Sequence, residues 1–117
     1  MIDDLYISRE HLAALHNEFP TDMDKLMLLS EECAELIQSC QKMYRGLNSP
    51  IANNSDMDKL MNSLTEEIAH VLICIEAVSY EMDIKPCDIQ DEIHKKEDDY
   101  YESTDSYTLG PSADRES

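Results

Sequence analysis

The sequence predicts an all-α protein, a helical hairpin of two long helices with short flanking helices. Two Gly and four Pro in 117 residues leave few breakers, which favours long helices over a turn-rich sheet. Two long stretches repeat apolar residues every three or four positions, the period of a helix that packs one face inward. Residues suited to helix starts precede these stretches, so pattern and punctuation agree.

Residues 1–5 carry no pattern and are expected to fray. Ser8 caps a short helix reaching about Phe19, with Leu12, Leu15 and Phe19 on one side, and Pro20 ends it. His11 and His16 on this helix have no partner evident in the sequence. Thr21 caps the first long helix, with Asp24 three residues later as a capping-box partner. That helix is expected to continue to about Arg45, with Gly46 as its stop. Its apolar stripe is Leu26, Leu29, Cys33, Leu36, Ile37, Cys40 and Tyr44.

Residues 46–55 (GLNSPIANNS) form a loop by composition, and Ser55 or Asn54 caps the second long helix, expected over 56–82. Its stripe is Leu60, Leu64, Ile68, Val71, Ile75, Val78 and Met82. Two helices of this length joined by ten residues are natural antiparallel neighbours. Pro86 opens a last helix over about 86–102, with Ile89 and Ile93 as a sparse apolar face. Residues 1–102 thus read as one helical domain, and the polar, unpatterned residues 103–117 as a disordered tail. Apolar faces this wide cannot both be covered within one protomer. A homodimer of four-helix-bundle type is therefore expected, or two such dimers paired as a tetramer.

Nine basic against 26 acidic residues give a net charge of −17. Such a field repels phosphate backbones and anionic lipids, which excludes nucleic-acid and anionic-membrane surfaces. No apolar run approaches the length of a spanning helix, and Met-Ile-Asp-Asp lacks the basic-then-apolar pattern of a signal peptide, so a cytoplasmic location is expected. Cys33, Cys40, Cys74 and Cys87 show no metal-binding or redox spacing, and reduced core thiols are expected.

Chemistry has to rest on carboxylates, because the chain has neither a Gly-rich phosphate loop nor a G-x-S-x-G elbow. Glu31, Glu32 and Glu35 fall within five residues of the first long helix. Glu32 sits at the edge of the apolar stripe, with Glu35 and Glu31 farther round. Like charges three or four residues apart repel, so the cluster costs a few tenths of a kcal/mol per pair unless a cation compensates. A hard divalent ion such as Mg²⁺ or Mn²⁺ would do so; a solvated acidic face is the alternative. On the second long helix Glu67 borders the apolar stripe, and His70 follows one turn later. Cys74 lies a further turn along, as packing or as an additional ligand.

Leu29 to Glu35 (LSEECAE) and Glu66 to Ile73 (EEIAHVLI) together resemble the MazG-like, all-α nucleoside triphosphate pyrophosphohydrolase family. The likeness covers roughly residues 21–100. It departs at one position, where His70 stands in place of the family's Asp. The resemblance implies that Glu32, Glu35, Glu67 and His70 come level across the hairpin, which spacing alone permits without requiring. It further implies that they hold Mg²⁺ or Mn²⁺ and that a nucleotide triphosphate is cleaved to a monophosphate and pyrophosphate. In that chemistry Glu31 would orient the attacking water or accept its proton. Basic side chains near Lys95 and Lys96 contact phosphates in the family. By position, Lys42 and Arg45 could do likewise, or simply lie along the surface. Because His70 supplies neither the charge nor the oxygens of Asp, two further functions stand beside the enzyme: a nucleotide-binding relative without turnover, and an acidic helical interaction module.

Overall fold

The computed structural model describes residues 5–49 and 53–105, the last three by their backbone alone. Four helices follow one another, α1 (Arg9–Glu18), α2 (Asp22–Leu47), α3 (Asn54–Glu81) and α4 (Pro86–Asp105), with no strand among the described residues. The chain is all-α, and none of these helices is long and apolar enough to cross a membrane. It divides after Asp83 into two compact units, the first holding α1 to α3 and the second α4.

Local chemistry starts each helix. The Ser8 hydroxyl accepts the His11 N–H at 3.1 Å. The Thr21 and Asp24 capping box is complete: Thr21 Oγ1 accepts the Asp24 N–H at 3.0 Å, and the Asp24 carboxylate accepts the Thr21 N–H at 3.4 Å. The cap of α3 is Asn53, whose side chain accepts the Asp56 N–H at 2.9 Å, in place of the expected Asn54 or Ser55. All three can cap, and Asn53 takes the position because the helix begins earlier, at Asn54. Before α4 the Asp88 carboxylate accepts the Lys85 N–H at 3.0 Å, and Pro86 opens the helix as expected.

Two helix ends differ from expectation. Gly46 does not stop α2, which continues through it to Leu47. Its use is spatial: a Cβ built on Gly46 would lie 2.5 Å from Leu60 Cδ1, so the missing side chain lets α3 approach. The turn after α3 has no glycine, and Asp83 takes the left-handed conformation there (φ 55°). Asp is one of the few residues that visits this region readily. The last helix reaches Asp105, three residues into the stretch expected to be a tail; residues 106–117 lie outside the described residues, as do Pro50, Ile51 and Ala52 of the expected loop.

In the first unit α2 and α3 form the principal packing pair, and α1 packs on α3. Lys25 meets Glu81 at 3.3 Å near one end, Ser39 meets Ser63 at 3.4 Å midway, and Gly46 meets Leu60 at the loop end, so the two long helices run antiparallel. The covered seam has alternating spacings of four and three. On α2 it runs through Lys25, Leu29, Glu32, Leu36, Ser39 and Met43. The α3 seam passes through Met57, Leu60, Leu64, Glu67, Val71, Cys74, Val78 and Glu81.

This seam is rotated from the stripes read in sequence. Leu29, Leu36, Leu60, Leu64, Val71 and Val78 lie on it, whereas Leu26, Ile37, Cys40, Tyr44, Ile68, Ile75 and Met82 are exposed. A single neighbouring helix covers only a narrow strip of a wide apolar face, and the rest stays outside. Glu32, expected at the stripe's edge, is consequently part of the seam. Of the four thiols only Cys74 is buried; Cys33 is half-buried, and Cys40 and Cys87 are exposed rather than in a core.

Candidate metal centre

Four side chains from two helices converge midway along the hairpin. Glu32 and Glu35 stand one turn apart on α2, and Glu67 and His70 stand one turn apart on α3. The register fixed by the Lys25–Glu81 and Ser39–Ser63 contacts brings these pairs level. One donor atom from each of Glu32, Glu35, Glu67 and His70 then lies within 4.8 Å of the other three.

The two seam carboxylates are the most enclosed members. Glu32 is 19% exposed and Glu67 15%, while His70 is 50% exposed and Glu35 is exposed. His70 Nδ1 lies 3.3 Å from Glu32 Oε2 and 3.7 Å from Glu67 Oε2. These are ion-pair distances, yet neither oxygen has a hydrogen-bond partner, and both are inaccessible to solvent. Buried carboxylate oxygens are normally satisfied, because leaving one bare costs much of its lost hydration.

Electrostatics record the same strain. Burial pushes the Glu67 carboxyl above its ordinary value of 4.5; Glu35 pushes the same way, His70 opposes, and Glu32 adds further. Cys74, 4% exposed on the adjoining turn of the seam, does not join the four donors. Burial raises its thiol to about 11, with Glu32 and Cys33 contributing. It therefore stays protonated at neutral pH, the form that packs rather than ligates.

The donor set fits a small divalent cation. Oxygen and nitrogen ligands around an octahedral ion at about 2.1 Å stand about 3–4.2 Å from one another. The widest separation, 4.8 Å, would have to close by about 0.6 Å to enter that range. The fit rests on the two bare seam oxygens, whose missing partner an ion would supply. One imidazole among three carboxylates would favour borderline ions such as Mn²⁺ and Co²⁺ over Mg²⁺.

The other candidate residues are placed as follows. Glu31 is exposed on α2 and is not one of the converging donors. Lys42 and Arg45 are exposed on α2, seven and ten residues beyond Glu35, or about 10 and 15 Å along the helix. Arg45 lines a shallow recess with Cys40, Gln41 and Tyr44. Lys95 and Lys96 belong to the second unit, where both are exposed and Lys95 pairs with Glu92 at 3.0 Å.

A second polar cluster had no signal in local spacing. Lys25 and His16, separated by nine residues, meet across the turn between α1 and α2 at 3.0 Å. The heptad interval from Lys25 to Glu32 is the one feature that places both on a single seam.

What the fold and site define is a class by geometry: an all-α chain whose helical hairpin carries a three-carboxylate, one-imidazole cluster on its seam. Compared with known proteins, the chain finds no match among protein-family models, curated proteins or solved structures.

Proposed function

We propose that the protein is a divalent-metal-dependent nucleotide pyrophosphohydrolase of MazG-like type, cleaving a nucleoside triphosphate to a monophosphate and pyrophosphate. The observation that carries this reading is the convergence of Glu32, Glu35, Glu67 and His70 from two helices onto one point, with two bare buried oxygens. The LSEECAE and EEIAHVLI runs supply the four residues, and their order and helical setting are those of the family they resemble.

Glu32, Glu35, Glu67 and His70 would hold the cation. Bound there, Mg²⁺ or Mn²⁺ supplies charge neutralisation of the triphosphate and acidification of a water. Three carboxylates and a neutral imidazole leave a formal charge of −1 once a divalent ion is added, so the protein's repulsion of an anionic substrate falls sharply at this point alone. Glu31, exposed and one residue before Glu32, serves as the candidate base, as the family resemblance implies. Lys42, Arg45, Lys95 and Lys96 are the candidate phosphate contacts. A homodimer, or a tetramer of two dimers, completes the proposal. Its support is the uncovered apolar set on both long helices, including Leu26, Ile37 and Tyr44 of α2 and Ile68 and Ile75 of α3.

A second reading, a nucleotide-binding protein without turnover, is favoured by one observation. His70, in the place of the family's Asp, directs Nδ1 at both seam carboxylates. The two readings separate when the protein is incubated with canonical and modified triphosphates and Mg²⁺, Mn²⁺ or Co²⁺. Pyrophosphate release that is stronger with Mn²⁺ or Co²⁺, and shifted toward Mg²⁺ by His70→Asp, supports the enzyme. Thermal stabilisation by a triphosphate with no release supports the second reading, and neither response sinks both.

A further inference from the structure

Lys25 is the most buried charged side chain among the described residues, at 3% exposure, and it lies apart from the acidic cluster. Its ammonium has three protons to donate and meets three acceptors. His16 Nδ1 lies at 3.0 Å, the Pro20 carbonyl oxygen at 3.3 Å and Glu81 Oε2 at 3.3 Å. These come from α1, the turn after it and α3, so one buried cation ties three segments together. We propose that this contact makes the docking of α1 proton-sensitive: α1 is held against α3 while His16 is neutral, and acidification releases it.

The chemistry follows from the donor and acceptor inventory. An ammonium offers no lone pair, so His16 must accept through Nδ1 and carry its single proton on Nε2. A second proton on Nδ1 removes the acceptor and leaves one Lys25 donor unmatched in a buried position. It also sets two cations 3.0 Å apart. Glu81, the one acid paired with Lys25 among the described residues, can offset one of those charges and not both. Among the described residues, the titratable groups in hydrogen-bond or ion-pair contact with Lys25 are His16 and Glu81. On α2, Asp22 accepts the Met23 N–H at 2.8 Å, and Asp24 is engaged in the Thr21 cap.

The helix that depends on this contact is weakly held. It has ten residues, too few to persist alone in water, and none is buried. Leu12, Leu15 and Phe19 are half-buried and supply its apolar contact. Loss of one hydrogen bond to a charged group is therefore enough to shift the balance between docked and open α1.

Amide hydrogen exchange across pH 7.5 to 5.5, corrected for intrinsic rates, tests the proposal; carboxylates at their ordinary values titrate below this window. In the wild-type chain, protection at residues 13–18 should fall by about tenfold, the value of one charged hydrogen bond, while protection around Met43 holds. His16→Gln keeps an acceptor but cannot be protonated, and should hold α1 protection across the range. His16→Lys, permanently cationic, should show low α1 protection at both ends. Constant α1 protection in the wild type would overturn the proposal. So would an equal loss in His16→Gln, which would assign the effect to another group such as His11. If either variant loses protection around Met43 as well, the wild-type series alone decides.

Discussion

Glu32 on α2 and His70 on α3 face each other across the hairpin, with carboxylate oxygen and imidazole nitrogen 3.3 Å apart. The contact joins the two motif-bearing helices at the level where Glu35 and Glu67 also converge. A buried oxygen held at ion-pair distance, without a satisfied hydrogen bond, is poised for a better partner.

Glu67 yields the first prediction. Its carboxyl titrates above 4.5 in the fold, so the folded state disfavours its charged form. The sign follows: this stability is fully present below the unfolded value and is lost as pH rises through the raised folded value. In the presence of EDTA, melting temperature should therefore decline as pH rises through and above the ordinary carboxylate range. Glu67→Gln should melt higher than wild type at pH 7 and lose part of that slope. An unchanged slope would show that Glu67 is not under strain.

Metal should reverse the effect. Mn²⁺ or Co²⁺ at about 100 times the dissociation constant stabilises by about 2.7 kcal/mol through linkage. In a chain of this size that raises the melting temperature by roughly 10 °C or more. Mg²⁺ should do less, because one of the four donors is a nitrogen. Glu35→Gln should melt higher than wild type without metal and respond little to it. A full response in that variant would place the ion elsewhere.

Thiol reactivity should divide by burial. Cys40 and Cys87 are exposed, whereas Cys74 is buried with its thiol raised to about 11. Iodoacetamide at pH 8 should modify Cys87 in the folded protein and spare Cys74, as read by mass spectrometry, while Cys40, on the stripe proposed for self-association, should react only as far as that stripe is open. Rapid alkylation of Cys74 would mean that the seam opens readily.

Self-association should depend on the uncovered stripe. Ile68 and Ile75 are exposed on α3, away from the seam with α2. Light scattering at micromolar concentration should give at least twice the 13.4 kDa chain mass. Ile68→Glu should lower that mass while retaining helical content. A monomeric wild type would remove the shared bundle from the proposal.

The sequence by itself determined what short-range chemistry controls. Four helices, the Ser8 cap, the Thr21–Asp24 box and the Pro86 start follow from groups within a few residues of one another. The i, i+3 spacing also put Glu32 beside Glu35 and Glu67 beside His70, each pair on one side of its own helix; that the two pairs come level was implied only by the resemblance, and the packing of α2 on α3 brings them together. Only the tertiary structure decided which strip of each wide apolar face became the seam. That choice is a competition among many similar contacts between distant residues, and helical period alone does not rank them. It moved Glu32 from the stripe's edge into the seam, left Ile37 and Tyr44 outside, and used Gly46 for the approach of Leu60. Lys25 is the clearest case: a lysine in a first helical turn reads as solvated. Its burial is decided by acceptors from α1, the turn and α3, which come together only when the three segments have packed.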